Sequence, residues 1–535
     1  MPMPAMDRRA LRSLCLLAAT AAVATLSACG SDHHDDPLTV TTDKGTVNGS
    51  ETPEYRQYLG IPYAAPPTGA LRWQAPQAAA AWTGTRDATQ YAPHCAQPAS
   101  AFGAVSASED CLYLNVYIPK TGKGPFPVMF WIHGGALLTG RSNDYDPKAL
   151  ISQGVAVVTI NYRLGPLGFL SHPALSAEQG GASGNYGILD QQAALKWVKA
   201  NIAAFGGDPS NVTVFGESAG GLSTHAQIVS PLAAGLFHKA IVQSGAYTLT
   251  VPTLAQAEAL GQSFGAGVGC NDQSLACLRN APVSAAIANS TKIQIGGTTL
   301  PTVDGKVLTA TFEQAYTGGS FNKVPIMQGS NQHEYSLLSA YVTDTALGRE
   351  IDATEYAAAV NTQFGTAAGF PAGFAGLLLA SYPVTITPSW SLDSLLTDAV
   401  FSCNGRKVAQ LASGQGVPVY SYEFADANAP MVFNLPPRVN GFGAYHAAEI
   451  QYVWPKQQTI YYGAPFTAAQ TDLSNKMVAY WAQFAKRGDP NVTGNPNWPA
   501  YTRANDTYLT LAPGAIAPTT SFAAEHQCAM WTPGS

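Results

Sequence analysis

The sequence predicts an α/β protein with a large, mostly parallel central sheet and helices on both faces. The composition, 46% hydrophobic and 12% charged, supports a large folded core and argues against disorder. Short β-branched apolar runs recur along the chain, and helical stretches separate them. Strand–helix–strand alternation of this kind is typical of a parallel sheet. Six runs are typical of buried strands: residues 126–133, 154–162, 211–215, 239–245, 324–330 and 417–424.

The clearest predicted helix spans residues 189–207, between the second and third runs. Gly206 is a natural stop for it. Its apolar residues fall at helical spacing: Ala193, Ala194, Trp197, Val198, Ile202 and Phe205. Residues 330–416 form a helix-prone, Ala-rich segment, which we interpret as an insertion that covers one edge of the sheet. We therefore expect residues 38–535 to form a single catalytic domain.

The first 28 residues have the pattern of a lipoprotein-type signal peptide. A basic start precedes a short apolar stretch, and small residues precede Cys29 as in a bacterial lipobox. An ordinary signal peptide or a short membrane helix are the alternatives, although the apolar run is short for a membrane span. We expect a lipid on Cys29, a polar tether over residues 29–37, and a place in the bacterial cell envelope. Gly30 after Cys29 favours the outer membrane, and a periplasmic or secreted protein is expected if the lipobox is not used.

Charge and cysteine content narrow the function further. The net charge is −6, and no Lys/Arg cluster follows residue 12, so nucleic acid is an unexpected partner. Of eight cysteines, Cys15 lies in the signal and Cys29 at the anchor, and an even six remain. Six cysteines in an exported chain indicate disulfides, with 15 connectivities open from sequence alone. Since no Cys/His spacing for zinc is present, we expect no metal and no cofactor.

One serine, Ser218, lies in the stretch "FGESAGG" (215–221), which has the pattern G-x-S-x-G. The motif alone is a weak signal in a glycine-rich chain. A predicted strand, residues 211–215, precedes it, and a helical stretch follows it. The small neighbours allow a tight strand-to-helix turn that leaves the serine oxygen exposed. The context therefore predicts a nucleophilic serine.

A serine nucleophile needs a base that is oriented by an acid, in the chain order serine, acid, histidine. His446 follows a strand and is preferred over His333 as the base. Glu334 comes soon after the strand that ends near Gly329, and it is the candidate acid. Asp304 and Asp398 compete with it on chain order alone.

Two further features belong to the predicted site. Glu217, next to the serine, is expected to be a buried, partly protonated carboxylate near the site. Gly135 and Ala136 follow a strand in the stretch "HGGA". Their backbone N–H groups, with that of Ala219, are the expected donors of an oxyanion hole.

Longer blocks of the chain are similar to a known family. They include "GIPYAAPPTGALRWQAP", "SEDCLYLNVYIP", "WIHGGAL", "NYRLGPLGFL", "NIAAFGGDPSNVTVFGESAGG" and "FAKRGDPN". Over residues 38–531 the chain resembles the type-B carboxylesterase/lipase family, which includes the cholinesterases. The resemblance implies an α/β-hydrolase fold with Ser218 as nucleophile, Glu334 as acid and His446 as base. It also implies three disulfides: Cys95–Cys111, Cys270–Cys277 and Cys403–Cys528.

The chain departs from the family pattern at three places. Tyr335 stands after the acid, where the family usually has Gly. The stretch between Cys95 and Cys111 contains no Trp, which makes a choline-specific enzyme an unexpected outcome. Ala136 replaces a third glycine in the oxyanion hole, and its side chain is expected to crowd esters of bulky tertiary alcohols.

These observations predict a serine carboxylic-ester hydrolase that works through an acyl-enzyme on small to medium, relatively apolar esters. The expected partners are a small ester and water, with membrane contact only through the N-terminal lipid anchor. A lipase acting on longer acyl chains is the alternative within enzymes. A non-catalytic surface adhesion protein on the same fold is the alternative from another class. The sequence predicts no oligomeric state.

Overall fold

A large sheet, built from eleven of the strands in the described part of the chain, organises the protein. The computed structural model describes residues 38–100, 103–455 and 464–532. The predicted signal peptide, Cys29 and the tether lie outside these residues. The strands are β1 (Thr39–Thr41), β2 (Thr46–Asn48), β3 (Ser50–Glu51), β4 (Tyr55–Pro62), β5 (Thr85–Asp87), β6 (Tyr113–Pro119), β7 (Phe126–Ile132), β8 (Ala156–Ile160), β9 (Gly207–Glu217), β10 (Lys239–Gln243), β11 (Ile326–Asn331), β12 (Val419–Phe424), β13 (Tyr508–Leu511) and β14 (Ala517–Thr519).

The strand order in the large sheet is β14-β13-β12-β11-β10-β9-β7-β8-β6-β4-β3. Neighbouring strands from β8 to β13 are parallel, and the pairs at both edges are antiparallel. A second, three-stranded sheet joins β1, β2 and β5. All six predicted strands are present, so the predicted mostly parallel α/β sheet is confirmed.

Helices connect and cover the strands. They are α1 (Lys148–Ser152), α2 (Gly165–Phe169), α3 (Pro173–Glu178), α4 (Tyr186–Phe205), α5 (Ala219–Val229), α6 (Leu254–Gly267), α7 (Leu275–Asn280), α8 (Val283–Ala288), α9 (Phe312–Gly318), α10 (Glu334–Ser339), α11 (Thr345–Leu347), α12 (Ala353–Phe364), α13 (Phe374–Ser381), α14 (Pro388–Leu396), α15 (Cys403–Gly414), α16 (Ile450–Val453), α17 (Ala468–Arg487), α18 (Phe522–Glu525) and α19 (Cys528–Trp531). Two π-helices span Ala340–Asp344 and Thr397–Ser402. Short 3₁₀ turns span Gly69–Leu71, Ser142–Asp144, Pro231–Ala233, Ser290–Ile293 and Thr366–Ala368. None of the helices in the described residues is long and apolar enough to cross a membrane.

The sheet is buried on both faces. Along β7, Phe130 and Ile132 belong to one apolar core, whereas Met129 and Trp131 belong to another. Successive side chains of a strand point to opposite faces, so each face of the sheet contributes to its own core. This double burial explains why β7 is an almost continuous apolar run rather than an alternating one.

Three disulfides cross-link the described part of the chain. They are Cys95–Cys111, Cys270–Cys277 and Cys403–Cys528, with sequence separations of 16, 7 and 125 residues. These are the pairs that the family resemblance implies. Disulfides persist in oxidising compartments, so their presence is consistent with an exported protein.

Candidate active site

Ser218 lies between β9 and α5, in a backbone conformation that residues other than glycine rarely adopt. Its φ and ψ are 55° and −121°. A Cβ on Gly216 would lie 2.5 Å from the carbonyl oxygen of Gly220. A Cβ on Gly220 would lie 2.0 Å from the carbonyl oxygen of Ile132, at the end of β7. Both glycines of the G-x-S-x-G motif are therefore required by close backbone approach, and the sharp turn directs the serine away from the sheet.

Three predicted residues meet at the carboxyl end of the sheet. The Oγ of Ser218 lies 2.8 Å from Nε2 of His446, and Nδ1 of His446 lies 2.6 Å from Oε2 of Glu334. Glu334 is the first residue of α10, just after β11, and it is fully buried. Its other oxygen accepts a hydrogen bond from the backbone N–H of Asn331 at 2.8 Å. The histidine is thus linked to a hydroxyl on one side and to a fixed carboxylate on the other.

The loop that carries His446 is held against the strand before Glu334. The N–H of His333 donates to the carbonyl of Ala444 at 2.9 Å, and Nδ2 of Asn331 donates to the carbonyl of Tyr445 at 2.7 Å. These bonds join residues next to Glu334 with residues next to His446. Because both partners are anchored at their backbones, the distance between acid and base is set by the fold.

Glu217 is a second carboxylate at the histidine, as the sequence predicts of its position. Its Oε1 lies 3.3 Å from Nε2 of His446. Burial raises the pKa of Glu217 well above its ordinary value, and the nearby His446 opposes this effect. Burial lowers the pKa of His446, but Glu217 and Glu334 outweigh this effect and raise it to about 9. The site therefore has a strongly basic histidine between two acids.

The competing residues from the sequence have other partners. Nδ1 of His333 accepts a hydrogen bond from the N–H of Ala444 at 3.2 Å. Asp304 accepts from backbone N–H groups two to four residues further along its own turn. Asp398 lies 2.5 Å, by its Oδ1, from Nδ1 of His526. None of the three has a described hydrogen bond to Ser218 or His446.

His526 and Asp398 belong to a buried cluster behind the site. Nε2 of His526 lies 2.6 Å from Glu423, so each ring nitrogen faces a carboxylate. Burial lowers the pKa of His526, but the two acids outweigh it and raise the pKa to about 10. Asp398 belongs to the π-helix Thr397–Ser402, and Phe401 of the same turn lies 5.2 Å from the ring of His446. The cluster thus anchors the π-helix whose Phe401 packs against His446, the candidate catalytic base.

Sequence reasoning did not find a further buried acid, Glu449. Its two oxygens accept hydrogen bonds from Nδ2 of Asn331 at 2.6 Å and Nε2 of Gln243 at 3.1 Å. The carbonyl of Gln243 accepts from the N–H of Ser218 at 2.9 Å. The sequence signal for a buried acid was that Glu449 is the one acidic residue in the largely apolar stretch "AYHAAEIQYVW" (444–454).

Ser218 lines a cavity with a volume of about 90 Å³. The predicted oxyanion residues Gly135 and Ala136 line it, together with His446 and Glu217. Ala136 has φ 58°, and Gly135 has φ 100°, so the chain turns sharply after β7. Ala219, the third expected donor, is the first residue of α5 and is fully buried.

The remaining walls of the cavity are largely apolar. Five apolar side chains that the sequence did not identify contribute to them: Tyr145, Leu337, Leu338, Phe433 and Ile450. Asp144 also lines the cavity, and its Oδ1 accepts from Nε of Arg141 at 2.8 Å. Apolar walls with a few polar groups are typical of sites for small organic molecules.

Two of the places where the chain departs from the family pattern lie near the site. The N–H of Tyr335 donates to Oγ1 of Thr397 at 3.1 Å, so the residue after the acid is tied to the second π-helix. Near the first disulfide, Gln97 exchanges two hydrogen bonds with the backbone of Gly140, at 2.8 and 2.9 Å. Gly140 lines the cavity. The disulfide loop is therefore connected to the cavity wall through an amide side chain.

Comparison with known proteins gives one consistent result. The model of the carboxylesterase family matches residues 36–531. The chain is 36% identical over 492 residues to fumonisin B1 esterase of Sphingopyxis macrogoltabida, covering 88% of this chain and 86% of that protein. It is 36% identical over 485 residues to para-nitrobenzyl esterase of Bacillus subtilis, covering 86% and 92%. It is also 35% identical over 500 residues to human cocaine esterase, covering 88% and 84%.

Solved structures agree with these sequence matches. A PNB esterase structure superimposes with a TM-score of 0.78 at 33% identity, over 92% of this chain and 99% of that one. A thermophilic PNB esterase gives a TM-score of 0.77 at 32% identity, with 92% and 99% covered. The fold is therefore the α/β-hydrolase fold. The chain belongs to the carboxylesterase family, and it is an enzyme that hydrolyses carboxylic esters.

Proposed function

We propose that the protein is a serine carboxylesterase that uses Ser218, His446 and Glu334 as its catalytic triad. The observation that carries the proposal is the continuous chain of contacts, 2.8 Å from Ser218 to His446 and 2.6 Å from His446 to Glu334. A serine hydroxyl becomes a nucleophile when an adjacent base removes its proton. A buried carboxylate on the far ring nitrogen orients that base and stabilises its charged form.

In the acylation step, Oγ of Ser218 attacks the carbonyl carbon of the ester while Nε2 of His446 accepts the hydroxyl proton. The carbonyl oxygen gains negative charge, and the N–H groups of Gly135, Ala136 and Ala219 are the proposed donors to it. Each donor of this kind is typically worth about 10²–10³ in rate. When the tetrahedral intermediate collapses, the C–O bond to the alcohol breaks, and His446 gives its proton to the leaving oxygen.

In the deacylation step, water repeats the attack on the acyl-serine. His446 accepts a proton from the water and returns it to Oγ of Ser218, which releases the carboxylic acid. Glu334 remains a carboxylate throughout and stabilises the protonated histidine. The balance requires only the ester and one water, and these are the proposed partners of the site.

The cavity supports a substrate class of small to medium, relatively apolar esters. Its walls combine Leu337, Leu338, Phe433 and Ile450, and the two acids that line it are Asp144 and Glu217. The relatives carry names that refer to different esters, fumonisin B1, cocaine and para-nitrobenzyl esters. We therefore propose that the shared feature of the substrates is the ester group on an apolar body.

The test is hydrolysis of p-nitrophenyl esters from acetate to palmitate by the wild type and Ser218→Ala. Ser263→Ala is the matched control, because it removes a hydroxyl that bonds only within α6, to the carbonyl of Ala259. We expect activity highest on short chains, lost in Ser218→Ala and kept in Ser263→Ala. A preference for long chains would make the enzyme a lipase. A folded wild type inactive on all of these esters would contradict the triad proposal and favour the adhesion alternative.

We also propose that Cys29 carries a lipid and holds the enzyme at the bacterial cell envelope, in the outer membrane. The support is the lipobox in residues 26–29 and the pairing of the six later cysteines in three disulfides. Labelling with radioactive palmitate should be lost in Cys29→Ala and kept in the matched Cys15→Ala. Continued labelling of Cys29→Ala would refute the lipid anchor at Cys29 and favour a periplasmic or secreted enzyme.

A further inference from the structure

Two segments of the chain form the apolar walls beside Ser218 and also carry the other two members of the triad. The helix α10 begins at Glu334 and contributes Leu337 and Leu338 to the cavity. The loop between β12 and α16 contributes Phe433 and carries His446. The spacing between helix and loop therefore decides how much room an ester has.

A buried ion cluster joins these two segments. Nε of Arg438, in the loop, donates to Oδ2 of Asp344 at 2.7 Å, and its Nη1 donates to Oδ2 of Asp393 at 2.5 Å. The three side chains are only 2–4% exposed. We call them the Arg438 cluster. Asp344 ends the π-helix that continues α10, and Asp393 lies on α14, so one guanidinium connects the loop with both elements.

The burial of the Arg438 cluster makes it a rigid connection. Removing one partner of a buried ion pair leaves an uncompensated charge, so such pairs resist separation. Nε and Nη1 of the one planar guanidinium each bond a carboxylate on a different element, which fixes direction as well as distance. The next residue adds a further tie, since the N–H of Val439 donates to Oε1 of Glu350 at 2.7 Å.

The catalytic end of the loop has anchors of its own besides Arg438, which also lies 5.9 Å from the ring of Phe442. Ala444 and Tyr445 are bonded to His333 and Asn331, immediately before Glu334. His446 therefore keeps its position through contacts of its own. The Arg438 cluster holds the middle of the loop, between Phe433 and His446. Loosening the cluster should change how esters fit more than how the triad reacts.

We propose that Arg438, with Asp344 and Asp393, determines the steric specificity of the enzyme by fixing Phe433 against the wall formed by Leu337 and Leu338. The proposal rests on the proposed function, because it takes the cavity to be the ester site. Arg438 is a positioning residue that lies outside the cavity and acts through Phe433. Bulky acyl groups are excluded as long as the cluster is intact.

The test variant is Asp344→Asn, which removes the charge on the π-helix and leaves Arg438 paired with Asp393. Asp472→Asn is the matched control, since it neutralises one acid of the exposed pair Asp472–Lys476 on α17. The readouts are kcat and KM for p-nitrophenyl acetate and for the bulkier p-nitrophenyl trimethylacetate, with the pH profile of kcat/KM on acetate.

We expect the ratio of kcat/KM for the bulky ester to that for acetate to rise about tenfold in Asp344→Asn, the low end of what one methylene is worth in an apolar pocket. The gain should appear in KM for the bulky ester, with kcat on acetate within about twofold of the wild type and the pH profile unmoved. Asp472→Asn should change none of these values.

Arg438→Lys is measured beside it, because lysine keeps the charge but cannot fork to two acids. An unchanged ester ratio in either folded variant would overturn the proposal, as would an equal loss of kcat on both esters. Failure of both variants to fold would also overturn it, since the cluster would then serve global stability. A wild type without esterase activity would refute the proposed function, whereas an active wild type with an unchanged ratio would refute only this inference.

Discussion

In the proposed mechanism, activity depends on pH through His446, which must be neutral to accept the proton of Ser218. Two acids face its ring, Glu334 at 2.6 Å and Glu217 at 3.3 Å. Together they raise its pKa to about 9 against the effect of burial. Activity should therefore rise with pH, and the midpoint of this rising limb should lie above 6.5, the ordinary pKa of histidine.

Glu217→Gln removes one of these acids and keeps the shape of the side chain. A full negative charge 3.3 Å from the ring would stabilise the imidazolium by about 5 kcal/mol at an effective dielectric constant of about 20. Since a pKa unit corresponds to about 1.4 kcal/mol, that energy would amount to about three to four units. Burial keeps Glu217 partly protonated, so only a fraction of the energy applies. We expect the activity limb to move toward lower pH by at least about one unit.

The assay is kcat/KM for methyl butyrate in a pH-stat, because the absorbance of nitrophenol itself depends on pH. Glu313→Gln is the control, since it removes an exposed acid paired with Lys407 and should leave the limb in place. If Glu217→Gln shifts the limb by less than about 0.3 unit, Glu217 does not charge the histidine. A wild-type limb at or below 6.5 would refute the reasoning as a whole.

Two predictions concern stability. Gly220→Ala would set a Cβ 2.0 Å from a carbonyl oxygen at the end of β7. It should therefore abolish activity and lower the free energy of unfolding by about 1–3 kcal/mol. An active variant of unchanged stability would show that the close backbone contact does not require a glycine. Loss of Cys403–Cys528, with a separation of 125 residues, should cost about 5 kcal/mol in the loop-entropy model, against about 2 kcal/mol for Cys270–Cys277 with a separation of 7. Urea unfolding of the two double Cys→Ser variants measures the loss of unfolding free energy for each disulfide. Equal losses in the two variants would refute the loop-entropy explanation.

The central strands and the serine turn could be predicted because their determinants are local. β7 and β8 are short, buried β-branched runs, and Gly216 and Gly220 mark the turn within five residues of sequence. The edge strands β13 and β14 were missed, since their residues are mixed in polarity and pair by contacts with distant strands.

The surroundings of the triad were less predictable. Glu449 and Arg438 reach partners more than 40 residues away in sequence, on elements whose orientation no local pattern encodes. Chain order identified Glu334 and His446 as candidates but left Asp398 and His333 open. The family resemblance favours Glu334 and His446, and the folded backbone separates the candidates physically, because it gives Asp398 to His526 and brings Glu334 to the histidine beside Ser218.

The cluster around His526 has a consequence for biosynthesis. A ribosome completes Gly135 and Ser218 long before it reaches His526 and Cys528, and chains tend to fold from the N-terminus as they emerge. The turn that packs Phe401 on His446 is tied to these late residues through Asp398 and a disulfide. We expect Phe401 to pack on His446 only after these last residues have left the ribosome and joined the fold.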